Sequence, residues 1–204
     1  MKTLLKVQAS LFGAAGHSSQ LAERFIEDFR RRHGTVRVVV RDLDANPVPP
    51  LTLARLQALG TPAEERTPAQ QAVVRSSDVL VEELKGADVI VFAVPMYNFT
   101  IPAALHNYFD HIARAGVTFR YTENGAEGLI KGKQVIVAIT RGGLYEKEHS
   151  QTAFLREFLS FIGLEDLHFV HAEGLKVGDK TRERSLAAAR QDIANLVPPV
   201  TAAA

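Results

Sequence analysis

The sequence predicts an α/β protein, a five-stranded parallel sheet covered by helices on both faces. Two observations lead there. Strand-like apolar runs alternate along the chain with segments whose apolar residues recur at helical spacing. The run VIVFAVP at Val89–Pro95 is apolar throughout, as a strand buried on both faces must be.

Taken in order, Leu4 to Ala9 is the first strand, and Ser10 to His17 is a loop rich in Gly, Ala and Ser. Ser18 or Ser19 is expected to cap a helix to about Arg32, because Leu21, Ala22, Phe25, Ile26 and Phe29 share one face. His33-Gly34 ends it. Thr35 to Val40 is the second strand, closed by Arg41-Asp42. Asn46 to Pro68 holds five of the nine prolines and reads as a long excursion with one short helix around Leu51 to Leu59. Loops of that length in compact domains are usually functional or mobile. Thr67-Pro68 opens the next helix, proline being suited to a first helical position, and Gly86 stops it after Lys85. The third strand runs into the turn Pro95–Phe99, and a helix from about Pro102 to Arg114 follows. Phe119 and Tyr121 belong to a hairpin-like segment with a turn at Asn124-Gly125. Gln134 to Thr140 is the fourth strand and Arg141-Gly142-Gly143 the loop after it. Thr152 to Ile162 is a helix stopped by Gly163, Leu167 to Val170 the fifth strand, and Arg182 to Leu196 the last helix. Residues 1–197 read as one domain with no repeat or internal linker, and residues 198–204 as a disordered tail.

Composition excludes several classes of function. At 204 residues, 46% hydrophobic and 23% charged, the chain can bury a full core without staples. The absence of cysteine removes disulfides, thiolate catalysis and Cys-based metal sites. A net charge of +1 and a pI near 8.1 provide neither a basic surface demanding nucleic acid nor an acidic steering field. The first apolar run is broken by Lys6, too early for a signal peptide, and no run reaches membrane-spanning length; a cytoplasmic protein is expected. His168 and His171 stand three apart and so face opposite sides of a strand, while His106 and His111 have no partner set, so no metal site is expected. The G-x-S-x-G elbow of serine hydrolases is absent.

Two strand orders suit such a chain, 2-1-3-4-5 and half of a dinucleotide-binding sheet. Ligands of open α/β sheets sit beyond the carboxyl ends of the strands, so three loops matter. The first, SLFGAAGHSS at Ser10–Ser19, joins a strand to a helix N-terminus, whose unpaired N–H groups and dipole attract an anion. It contains no Lys or Arg and matches neither the Walker pattern nor G-x-G-x-x-G, which suits a phosphate monoester better than a polyphosphate. The plainer alternative is a small-residue loop packing a helix on a sheet. The second, Pro95, Met96, Tyr97, Asn98 and Phe99, is apolar and aromatic where turns are normally polar; it offers a wall for a flat ring, or a patch for a protein partner. The third, Thr140–Gly143, places two glycines after a strand and leaves backbone N–H groups unshielded, although such pairs are more often plain turns. In the order 2-1-3-4-5 all three loops meet at one edge. Asp42, ending the second strand, could grip a ribose in a dinucleotide-binding sheet; beside Arg41 it reads better as a helix cap or surface ion pair.

These residues resemble the FMN-dependent NADH-azoreductases, which are also quinone reductases. The similarity covers nearly the whole chain. It rests on the Ser-containing first loop, PMYNF at Pro95–Phe99, LHNYFDHIARAGVTFRYTENG at Leu105–Gly125, RGG at Arg141–Gly143, FIG at Phe161–Gly163 and AEG at Ala172–Gly174. The resemblance implies a flavodoxin-like, three-layer, doubly wound sheet of order 2-1-3-4-5 and a homodimer with FMN near the subunit boundary. By position, Ser10, Gly16, His17 and Ser18 would hold the phosphate. Pro95, Met96, Tyr97, Asn98 and Phe99 would lie along the ribityl chain and ring, and Thr140, Arg141, Gly142 and Gly143 around the pyrimidine end. Phe119, Tyr121 and Phe161 would line the substrate cavity, some from the opposite subunit. The implied chemistry is ping-pong: NADH or NADPH gives hydride to flavin N5, and a quinone or azo compound then takes it at the same place, with no side chain obliged to act as acid or base. The chain departs from relatives at Gly16-His17 and at Gly60, where some carry an arginine near the substrate. A dehydrogenase without flavin and a non-enzymatic flavin electron carrier are the alternatives.

Overall fold

The computed structural model describes residues 1–145 and 149–197. In chain order the elements are β1 (Lys2–Gln8), α1 (His17–His33), β2 (Val36–Asp42), α2 (Leu53–Gly60), α3 (Pro68–Gly86), β3 (Val89–Pro95), α4 (Ala103–Ile112), β4 (Phe119–Thr122), β5 (Gly125–Gly128), β6 (Gln134–Thr140), α5 (Ser150–Phe161), β7 (Asp166–Ala172) and α6 (Asp179–Leu196). The expected tail, 198–204, lies outside the described residues.

Five strands form one parallel sheet in the order β2-β1-β3-β6-β7, which is 2-1-3-4-5 counted within the sheet. The hairpin β4–β5 is a separate antiparallel pair. Successive residues of a strand point to opposite faces, and the two faces fill differently. Val89, Val91 and Ala93 pack with Phe25 and Ile26 of α1 and Ile193 of α6. Ile90, Phe92 and Val94 pack with Leu84 of α3, Phe109 of α4 and Leu155 of α5. Each large side chain so buried stabilises the fold by about 1.5–3 kcal/mol. Tyr108 and Phe109 take the core role that is the default for such residues.

The local chemistry explains most boundaries. Thr67 and Gln70 form a reciprocal capping box at the start of α3, with Pro68 in the first turn. Thr52 caps α2, accepting from Arg55 N at 3.3 Å. Three expectations need correcting. Helix α1 begins at His17, capped by Gly16 rather than Ser18 or Ser19: a tight turn at Gly13–Ala15, closed by Gly16 N to Gly13 O, uses up the loop, so the serines fall inside the first turn. Strand β2 continues through Arg41 and Asp42, which pair in register with Val7 and Gln8. Asp42 is neither helix cap nor ion pair. Its carboxylate accepts from Gln8 Nε2 at 2.6 Å and from the amides of Asp44 and Ala45, closing a turn. Burial alone would raise the Asp42 pKa, but these bonds outweigh it and hold the carboxyl below its ordinary value. Arg41 pairs instead with Glu83. Strand β7 and helices α5 and α6 each start slightly before the sequence signals, α5 through a cap by His149 Nδ1, which accepts from Gln151 N.

The proline-rich excursion is tied down. The Val48 and Pro49 carbonyls accept from Asn107 Nδ2 at 3.1 Å and His111 Nε2 at 3.0 Å, both on α4. Among the described residues no helix is long and apolar enough to cross a membrane.

Two outcomes follow. The hairpin packs on the end of α5 so closely that a Cβ on Gly128 would strike Gly163 N and Ile162 C, while Gly163 itself has φ +100°. Gly128→Ala is expected to destabilise the chain by about 1–3 kcal/mol in urea denaturation. His111 is held below its ordinary pKa of 6.5, first by burial and also by Arg55 and Arg114, against the opposing effects of the Pro49 bond and Asp110. The unfolded chain therefore binds a proton near pH 6.5 that the folded chain refuses, so this contribution is complete above that pH and is lost as pH falls toward the folded pKa. His111→Gln should lose less stability than the parent between pH 7.5 and 5.5, measured by urea titration.

Candidate functional site

The register of the sheet levels the carboxyl ends of its strands. Pro95 pairs with Thr140, and Thr140 with Ala172, so the loops after β3, β6 and β7 leave at one height. The loop after β1 joins them through Ala9 N to Ala93 O and through Leu11 N, which donates to the Tyr97 hydroxyl at 3.1 Å.

In the first loop Ser10 is buried, and its Oγ accepts from Phe12 N at 3.2 Å. Gly16 approaches so closely that a Cβ there would collide with Ser10 Oγ and lie 2.8 Å from Ser10 Cβ; only glycine fits this cradle. No side chain caps α1, and the first bond back to its cap comes from Gln20 N to Gly16 O. The amides of His17, Ser18 and Ser19 thus open the helix without helical partners. Ser18 Oγ, Ser19 Oγ and His17 Nδ1 are buried with no hydrogen-bond partner among the described residues. Orphaned hydroxyls beside unpaired amides at a helix N-terminus fit an anion such as a phosphate monoester.

The second loop is a tight turn. Met96 N donates to Thr140 O at 2.8 Å, while Tyr97 and Thr100 exchange both backbone bonds. Asn98 and Phe99 between them have φ of +49° and +67°. Left-handed backbone costs roughly 1–2 kcal/mol per residue outside glycine, and such strain clusters at ligand sites. Phe99 is 66% exposed despite its apolar ring. A cavity of about 900 Å³ opens beside the turn, lined by Ala9, Leu11, Met96, Tyr97, Asn98 and Asn107 among others. Another, of about 540 Å³, lies at the amino ends of the strands by Lys2, Val89 and Gln134, the wrong edge for a ligand of this architecture.

The third loop presents backbone. The Arg141 side chain turns inward, bonding Gln151 Oε1 at 3.0 Å, Thr152 Oγ1 at 2.6 Å and Glu173 Oε1 at 2.7 Å. The carbonyls of Gly142 and Gly143 accept from Lys176 N and Gly174 N, and no bond donated by their own amides occurs among the described residues. Those amides are free to face negative charge.

Phe119, Tyr121 and Phe161 also cluster, with Phe119 4.4 Å from Phe161 and 5.5 Å from Tyr121 between centroids. They stand apart from the three loops. Gln151 touches the second loop, and Phe161 lies at the far end of the same helix, about 15 Å away at 1.5 Å per residue. Within one chain these aromatics do not reach the site. Sequence reasoning missed the roles of Gln151 and Thr152, polar residues on an ordinary helix, and weighed His171 only as a metal ligand; Glu173 was visible only as the centre of AEG.

A family model described as "Flavodoxin-like fold" matches residues 1–197. The chain is 50% identical over 195 residues to an FMN-dependent NADH:quinone oxidoreductase of Cellvibrio japonicus (strain Ueda107), covering 95% of this chain and 97% of that protein. Among solved structures it is similar to an azoreductase from Bacillus anthracis str. Sterne, with a TM-score of 0.88, 28% identity, and coverage of 97% and 99% of the two chains. It is also similar to an FMN-dependent NADH-azoreductase from Bacillus anthracis str. Ames Ancestor in complex with FMN, with a TM-score of 0.84, 25% identity, and coverage of 97% and 100%.

The buried guanidinium generates a test. Arg141→Met leaves Glu173, 15% exposed, facing the hole of a lost cation. Removing one partner of such a pair costs about 3–5 kcal/mol, and a loss near the lower figure is expected in urea denaturation.

Proposed function

The chain belongs to the flavodoxin-like fold family, and from that premise we propose that it is an FMN-dependent NADH:quinone oxidoreductase that also reduces aromatic azo compounds. The observation that carries this reading is the start of α1, with orphaned Ser18 Oγ and His17 Nδ1 and the Gly16 cradle, on a loop that Leu11 N ties to the hydroxyl of Tyr97 in the aromatic turn.

In this reading Ser10, Gly16, His17 and Ser18 hold the phosphate with amides and hydroxyls. Pro95, Met96, Tyr97, Asn98 and Phe99 give the ribityl chain and ring a rigid wall. Thr140, Arg141, Gly142 and Gly143 serve through backbone, Arg141 supporting the loop from beneath. When bound, FMN supplies the redox chemistry, passing hydride equivalents from NADH to a quinone or azo acceptor. The chain orients the reactants on one face of the turn, and the Gly142 and Gly143 amides stabilise negative charge as an oxyanion hole does. This reading assigns no side chain as acid or base, and solvent supplies the protons.

The finer points belong to the same reading. Residues 1–197 act as one doubly wound, three-layer domain. The exposed Leu11, Phe12, Phe99 and Leu144 fit a homodimer surface, through which Phe119, Tyr121 and Phe161 of a second copy would complete the substrate cavity. A cytoplasmic location suits a donor, NADH, that is confined to the cell interior. The flavin-free alternative loses its main support because both Asp42 carboxylate oxygens are engaged by Gln8, Asp44 and Ala45. The carrier alternative gains no support from charge, the net charge being +1 where carriers commonly present a strong acidic field.

Purified protein is expected to be yellow, to release one FMN per chain, and to oxidise NADH with menadione along parallel double-reciprocal lines. Light scattering should give twice the 22.4 kDa chain mass. A colourless protein that takes up no added FMN would refute the proposal.

A further inference from the structure

We infer that Gln151 is a positioning residue for the turn Pro95–Thr100, an inference that rests on reading this turn as the wall of the flavin site. Gln151 is 1% exposed and sits in the first turn of α5, behind the turn. Its amide faces three groups. Oε1 accepts from Arg141 Nε at 3.0 Å, and Nε2 donates to Pro95 O at 3.3 Å and to Thr100 O at 3.4 Å. Chemistry fixes this orientation, because Arg Nε can only donate and the two carbonyls can only accept.

One planar group therefore brackets both ends of a turn whose middle residues, Asn98 and Phe99, hold left-handed backbone. Among the described residues, the backbone bonds that close the tip are the two exchanged by Tyr97 and Thr100. Strained conformations persist where surroundings over-determine them, and Gln151 supplies that excess constraint. The same amide is anchored beyond the turn. Arg141 is gripped by Thr152 Oγ1 and Glu173 Oε1, and Glu173 Oε2 accepts from Tyr145 N at 2.9 Å. Gln151 thus fixes the aromatic turn relative to the Thr140–Gly143 loop, setting the spacing of the two walls between which a flat ring must fit. It bonds Pro95, Thr100 and Arg141 from behind and acts on a ligand through them.

The test compares the parent with Gln151→Glu and Gln151→Met. Glutamate keeps the acceptor for Arg141 but offers no donor to the two carbonyls; methionine keeps the volume and removes every bond. Hydrogen exchange of the flavin-free proteins, read by mass spectrometry, should show the segment 95–100 exchanging at least about tenfold faster in both variants, with β6 and α6 unchanged. FMN titration should show the dissociation constant raised about tenfold, with a shifted visible band in the bound flavin. Unchanged exchange in 95–100, or parental FMN affinity and spectrum in Gln151→Glu, would overturn the inference. Global unfolding of both variants would overturn it too, since Gln151 would then support the whole sheet. If the parent itself binds no FMN, the flavin reading fails, and the exchange measurement alone decides whether Gln151 holds the turn.

Discussion

The arrangement depends on the parallel register that brings Pro95, Thr140 and Ala172 to one level. A shift of one residue would turn every buried side chain of a strand to the other face. Here each face has its own apolar cluster, so the cost of a slip would be many buried contacts at once. That cost pins the register, and the register pins the loops. The candidate site inherits its geometry from the core, although its own residues lie in turns.

On this level edge, polar chemistry replaces hydrophobic packing. Arg141, Gln151, Thr152 and Glu173 form a buried network linking the ends of β3, β6 and β7 to the first turn of α5, and His171 touches it through Thr152 Oγ1 at 3.2 Å. A buried guanidinium is costly unless its donors are satisfied, and among the described residues Gln151, Thr152 and Glu173 accept from it. The network leaves the loop backbone as the surface offered to a ligand. At the other side of the edge, α1 begins with amides that have no helical partner and with hydroxyls that have no hydrogen-bond partner among the described residues. One side of the site is held by bonds within the protein, and the other presents polar groups that such bonds do not use.

Much of this was legible in the chain. The strands themselves, the turn Pro95–Phe99 and the glycine loop at Arg141–Gly143 rest on local signals: apolar runs, a proline, paired glycines and a helix start; their order in the sheet stayed between two until the family resemblance favoured 2-1-3-4-5. The helix start at Thr67-Pro68 is equally local, and the structure adds the reciprocal bonds between Thr67 and Gln70. Other features were not legible. Ser18 and Ser19 resemble caps in sequence, yet the turn at Gly13–Ala15 moves the helix start upstream. Asp42 looks available for a ribose until Gln8 of the neighbouring strand takes one of its oxygens.

By itself the sequence determined the alternation of strands and helices, which residues could be buried, and where the backbone could turn sharply. Those properties follow from interactions within a few residues along the chain. Only the tertiary structure decided that Arg141 points inward, that Gln151 brackets the aromatic turn, and that Phe119, Tyr121 and Phe161 lie far from the loops of their own chain. Each of those outcomes depends on which distant groups meet once water is expelled. A polar side chain carries no local mark of the partner that will satisfy it.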